Sequence, residues 1–69
     1  MSYRVQIYCE AGGVPSPLDP QTVVAETARA AAEKLAGGTL LEAGPHGRLA
    51  AFVWGEGEFK PHRVPFYRP

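Results

Sequence analysis

The 69-residue chain has one cysteine, no asparagine, no excess of charge of either sign and no long apolar run. Each shortage excludes something. A lone cysteine cannot close a disulfide within the chain. Seven Lys and Arg against seven Asp and Glu remove the global field that draws a basic domain onto nucleic acid or an acidic membrane, which leaves only local patches to argue from. The longest apolar stretches, Val23 to Ala25 and Leu49 to Trp54, fall far short of the roughly 20 residues a membrane helix requires. The N-terminal segment MSYRVQIYCE lacks the basic start, apolar stretch and small-residue cleavage site of a secretory leader, so the expectation is a cytoplasmic protein. Five Arg to two Lys, with abundant Ala and Pro and no Asn, is compatible with a GC-rich or thermophilic bacterial source.

A chain of this length buries only about 60% of the surface it exposes when unfolded, which excludes a two-domain enzyme and makes every large apolar residue matter. From Tyr3 to Glu10 the side chains alternate, with Tyr3, Val5, Ile7 and Cys9 on one face and Arg4, Gln6, Tyr8 and Glu10 on the other: a half-buried strand. Ala11 to Pro17 follows with paired glycines and two prolines and reads as a loop. The helix signal is strongest over Thr27 to Ala36, closed by Gly37-Gly38 where a left-handed cap needs glycine. Two starts compete. Asp19 as cap with Pro20 behind it, and Leu18 stapled on Val23, would begin the helix at Pro20. Alternatively the β-branched run Thr22-Val23-Val24 is a short strand and Thr27 is the cap. The apolar stripe of the helix is expected to be Val24, Ala28, Ala31, Ala32 and Leu35.

Thr39 to Ala43 and Arg48 to Trp54 flank Gly44-Pro45-His46-Gly47, which predicts a β-hairpin around a type I turn. Pairing residue 43 with residue 48 puts Leu41, Ala50, Phe52 and Trp54 on one face and Leu40, Leu49, Ala51 and Val53 on the other. Both faces are apolar. Gly55-Glu56-Gly57-Glu58 is a bend, and Lys60 to Pro69 reads as an extended Pro-rich basic arm. The expected fold is α+β: a small antiparallel sheet of three to four strands packed on one Ala-rich helix, in ββαββ or βαββ order. Residues 1–59 form the domain and residues 60–69 the C-terminal arm.

A single helix covers one face of such a sheet, so the second face needs its own cover. Three are available: the chain's own arm through Phe59, Val64, Phe66 and Tyr67; a second copy; or a larger protein partner. Large exposed apolar patches mark interaction sites, and two-fold dimers are the commonest oligomer. The leading expectation is therefore a protein-interaction or homo-oligomerising module, most simply a dimer, anchored by Phe52, Trp54, Phe66 and Tyr67.

Charge supplies the alternative. Residues 1–59 carry four basic and seven acidic groups, a balance of −3, while residues 60–69 carry Lys60, Arg63 and Arg68 and no acid, a balance of +3. Cations beside Phe66 and Tyr67 are the ingredients of a weak RNA or single-stranded DNA binder, since cations follow phosphates and aromatics stack on bases. The blander reading lays the arm on its own acidic body near Glu56 and Glu58. Cys9 continues the inward alternation and reads as a buried, inert thiol. His46 and His62 stand sixteen residues apart with no Cys-x-x-Cys or His-x-His to complete a metal sphere, so no metal or other cofactor is expected. Glu10, Glu26 and Glu42 are isolated carboxylates without the partner that acid-base chemistry needs, and an enzyme is not expected.

Overall fold

The computed structural model describes residues 1–12, 14–57 and 62–69, and Gly13, Glu58, Phe59, Lys60 and Pro61 lie outside these. Five strands and one helix follow one another: β1 (Ser2–Ala11), β2 (Val14–Pro17), β3 (Gln21–Val24), α1 (Ala28–Ala36), a 3-10 turn at His46–Arg48, β4 (Leu49–Gly55) and β5 (Val64–Tyr67). All strand pairs are antiparallel. β1 is the centre: β4 pairs along one side of it from Tyr3↔Gly55 to Ile7↔Ala51, while β2 and β3 pair with its two halves in succession. The Leu18 N–H bonds the Ile7 carbonyl where β2 gives way to β3. β5 then pairs with β4 at the far edge. The fold is α+β, an antiparallel sheet packed against one helix.

The order is βββαββ, and three local expectations are corrected. Val14–Pro17 is a strand rather than loop, because an edge strand tolerates prolines whose missing N–H would have pointed away from the ladder. Thr39 to Ala43 does not form a hairpin with Leu49–Gly55. Both sides of β4 are taken, by β1 and β5, and of the 39–43 segment only Leu41 makes a bridge, to Tyr67 across the outer edge. The segment expected as an extended arm supplies β5 through Val64–Tyr67.

The choice of helix start falls to Thr27. Its side chain accepts from the Ala30 N–H at 3.1 Å, Gly37 closes the helix at φ 78°, and Thr22-Val23-Val24 goes to β3. Val24 therefore leaves the helical stripe and is exposed. Ala31 and Ala32 are fully buried, with Ala28 and Leu35 packed beside them, so methyl groups let the helix sit close on the sheet. Opposite them lie Val5, Val23, Ala51, Val53 and Phe66. Arg29 and Glu33 brace the exit: the Arg29 guanidinium donates to the Leu40 carbonyl at 2.8 Å and the Glu33 carboxylate accepts the Leu40 N–H at 2.9 Å, which holds Leu40 in the core.

A register shift between Leu49 and Ala51 alters the faces expected for β4. Ala50 joins the core cluster with Ala51, and Leu49 is buried outside that cluster. Beyond the shift, alternation holds: Val53 faces the helix, and Phe52 and Trp54 do not. No helix among the described residues is long and apolar enough to cross a membrane.

Candidate functional site

Period-two alternation and register together decide what gathers on the sheet face opposite α1. On β1 that face carries Arg4, Gln6 and Tyr8; on β4 it carries Phe52 and Trp54, paired with Gln6 and Arg4 respectively; on β5 Pro65 stands opposite Phe52. The Tyr8 ring meets Phe52 edge-on, with centroids 5.6 Å apart and planes at 69°, an arrangement that the ring quadrupoles favour. The Arg63 guanidinium lies 4.8 Å from the centroid of the Trp54 ring. Tyr8, Phe52 and Trp54 are all half-buried, and Phe52 and Trp54 fall outside the core cluster.

A polar chain borders these rings. Arg4 donates to the Thr22 hydroxyl at 3.0 Å, and that hydroxyl donates to the Glu56 carboxylate at 2.7 Å. Gln6 donates to the Leu18 carbonyl at 3.1 Å. The face is thus an aromatic centre with a fixed polar margin, the anatomy of a contact surface in which a desolvated core is ringed by polar groups.

Two edges of the same sheet, at β2 and β5, are poor templates for further pairing. Pro15 and Pro17 interrupt the donors of β2, Pro65 does so in β5, and Leu41 bridges Tyr67 on the outer side of β5. Proline on edge strands is how sheets avoid adding strands from other chains.

Of the four anchors expected from sequence, Phe52 and Trp54 lie on this face. Phe66 is only 3% exposed and belongs to the core of the single chain, so it is not available to a partner. Tyr67 is half-buried beneath the segment that follows the helix: a Cβ on Gly44 would stand 3.1 Å from the Tyr67 Cβ, a distance at which the ring or the loop must give way. Of the expected cations, Arg63 is stacked on Trp54, Arg68 donates to the Leu49 and Tyr8 carbonyls at 3.1 and 2.7 Å, and Lys60 lies outside the described residues. Arg63 and Arg68 engage different parts of the molecule.

Tyr8 and Arg4 were legible as members of the polar face of the first strand, but not as neighbours of Phe52 and Trp54, because register is not written in alternation. Cys9 is exposed, contrary to the expected buried thiol. The reason is length: a nine-residue helix spans about 13 Å, whereas ten strand residues span about 33 Å, so α1 covers the Tyr3–Ile7 half of β1 and stops short of Cys9. His46 and His62 are exposed, and no group of three or more His, Cys, Asp or Glu side chains able to hold a metal occurs among the described residues.

No family model matches the chain, and neither the curated proteins nor the solved structures contain a significant match to it.

Proposed function

We propose that the chain is a non-enzymatic cytoplasmic module that docks a second copy of itself through the sheet face opposite the helix, with Tyr8, Phe52 and Trp54 as the anchors. The observation that carries this reading is the placement of Phe52 and Trp54, half-buried, on the face that α1 does not cover. Aromatic rings supply large contact area with few rotamers to freeze, which is why they concentrate at the centres of interfaces.

Three further features favour a second copy as the occupant. The prolines of β2 and β5 remove donors from those two edges, which disfavours pairing there and favours contact through the face. Zero net charge spares two copies mutual repulsion. The broad face of a molecule 33 × 21 × 17 Å in extent measures roughly 700 Å², close to the ~800 Å² each partner gives to a standard interface.

Replacement of Trp54 by Ser tests the proposal. The variant is expected to keep the far-ultraviolet circular dichroism of the parent while its mass in solution falls to that of one chain. Loss of the folded spectrum at unchanged association would assign Trp54 to the core instead.

One observation favours a second reading, single-stranded nucleic-acid binding: Arg4 and Arg63 stand beside the rings of the same face. Stacking on Trp54 occupies the Arg63 guanidinium, and few free cations remain to follow phosphates. Salt separates the two readings, because phosphate contacts weaken steeply with ionic strength and an apolar interface does not.

A further inference from the structure

β2 and β3 lie end to end along the same side of β1, separated by Leu18, Asp19 and Pro20, and together they form one outer edge of the sheet. In an antiparallel pair, alternate residues turn their N–H and C=O toward the partner strand, and the residues between them turn theirs away. Two bonds fix the phase here. The Leu18 N–H donates to the Ile7 carbonyl, so on β2 Val14 and Ser16 point inward and Pro15 and Pro17 outward. The Ala25 N–H donates to the Met1 carbonyl, so on β3 Gln21 and Val23 point inward and Thr22 and Val24 outward. The two halves of the edge are thus finished differently. Both outward positions of β2 are prolines, with no donor to offer, and neither outward position of β3 is.

β3 therefore presents a short ladder without a strand to take it. Among the described residues, none accepts from the Thr22 or Val24 N–H or donates to the Thr22 carbonyl, and the Val24 carbonyl accepts the Lys34 ammonium at 2.9 Å. Gln21, Thr22 and Val24 are exposed, and the strand carries no charge that would repel another backbone. The Thr22 side chain is already held by Arg4 and Glu56, so the strand is set in place before anything meets it. Val24 is 64% exposed and offers an apolar, β-branched side chain beside that ladder.

We propose that the β3 edge takes an extended segment of another protein as an added strand, its main chain on Thr22 and Val24 and a β-branched side chain packed on Val24. Strand addition of this kind draws affinity from main-chain bonds and preference from alternate side chains, and β-branched pairs suit a pleated surface. A second copy fits this edge less well. Two β3 strands laid antiparallel with Thr22 opposite Val24 need both Val24 carbonyls for the ladder, and Lys34 already donates to each. A partner segment competes with one such bond at most. The ladder groups lie in the plane of the sheet and not on its aromatic face, so the proposal does not rest on the pairing of two copies.

The test uses the intact protein and a capped heptapeptide of alternating Thr and Val, followed residue by residue in amide nitrogen–proton correlation spectra and by hydrogen exchange. In the dilute protein without peptide, the Thr22 and Val24 N–H groups are expected to exchange roughly tenfold faster than that of Val23, or more. The peptide is expected to give saturable shifts centred on Thr22 and Val24 and to slow their exchange. Methylation of two adjacent central nitrogens spoils both edges of the peptide and is expected to weaken binding about fivefold or more, the loss of at least one ladder bond. Val24→Pro finishes β3 as β2 is finished and is expected to do the same, while Trp54→Ser is expected to leave peptide binding as it was. The proposal is overturned if Thr22 and Val24 are as protected as Val23 in the dilute protein, or if their protection grows with protein concentration alone, which would give the edge to a second copy. It is overturned equally if the peptide gives no saturable shift, gives shifts centred elsewhere, or binds as well when methylated. The comparison of the two peptides on the unaltered protein decides the matter even where Val24→Pro folds poorly.

Discussion

The two faces of one small sheet are built from different kinds of side chain. Beneath the helix lie Val5, Val23, Ala51 and Val53, met by Ala31 and Ala32, with Leu40 and Phe66 as the large members of this core and Tyr3, Ile7 and Leu35 packed against it. On the other side stand Tyr8, Phe52 and Trp54. A chain this short gains most by burying its largest apolar residues, yet two of its largest rings sit where α1 does not reach. The difference teaches that close helix approach and large buried area are separate solutions. Methyl groups bring a short helix near the backbone, and the area they leave unburied is supplied on the other face, where a second surface is required to complete it.

The contrast can be broken first at Phe66. Its truncation to Ala removes a ring from the core at a cost of about 3–5 kcal/mol, comparable with the roughly 3–5 kcal/mol that a single small core supplies in total. The variant is expected to show no cooperative thermal transition. A folded Phe66→Ala protein would return β5 to the status of an appendage. Phe52→Ala probes the opposite face and is expected to act on association instead. A loss of about 2 kcal/mol at an interface anchor raises the dissociation constant roughly thirtyfold. Sedimentation over a concentration range measures this, and the melting temperature at low concentration is expected to change little.

Smaller effects sharpen the distinction. Thr27→Ala removes the cap of the helix that closes the covered face and costs about 1 kcal/mol, or roughly 4–8 °C in the melting temperature of a domain of this size. Arg63→Gln removes the cation over Trp54, worth about 0.5–1 kcal/mol at an exposed site. It is expected to change the emission of this single tryptophan while barely moving the melting curve, and a large loss of stability would mean that Arg63 braces the fold.

Much of this division was legible before any coordinates. Alternation marked Val5 and Ile7 as inward, and separated Ala51 and Val53 from Phe52 and Trp54. Gly37 marked the end of the helix, where a left-handed φ favours glycine, and Thr27 was one of its two candidate starts. Partner choice was the illegible part. A sequence does not say that β4 will pair with β1 and β5 in preference to its neighbour across the Gly44-Pro45-His46-Gly47 turn, because tight turns favour hairpins locally while pairing is settled by the whole sheet. The same gap hid Tyr8 beside Phe52 and the burial of Phe66. Prolines point to a loop at Val14–Pro17, which is instead an edge strand, and they exclude only a central strand at Val64–Tyr67, which pairs at the edge.

Trp54 is the only tryptophan of the chain, so its fluorescence reports on the aromatic face alone. The most direct measurement is a dilution series in which its emission and the mass from light scattering are recorded on the same samples at moderate and high salt. Pairing through this face predicts a mass near twice 7.4 kDa at high concentration, falling to one chain on dilution, with the emission moving to longer wavelength over the same range and the midpoint insensitive to salt. A mass of one chain at every concentration with constant emission, or association that leaves the emission unchanged, would contradict it.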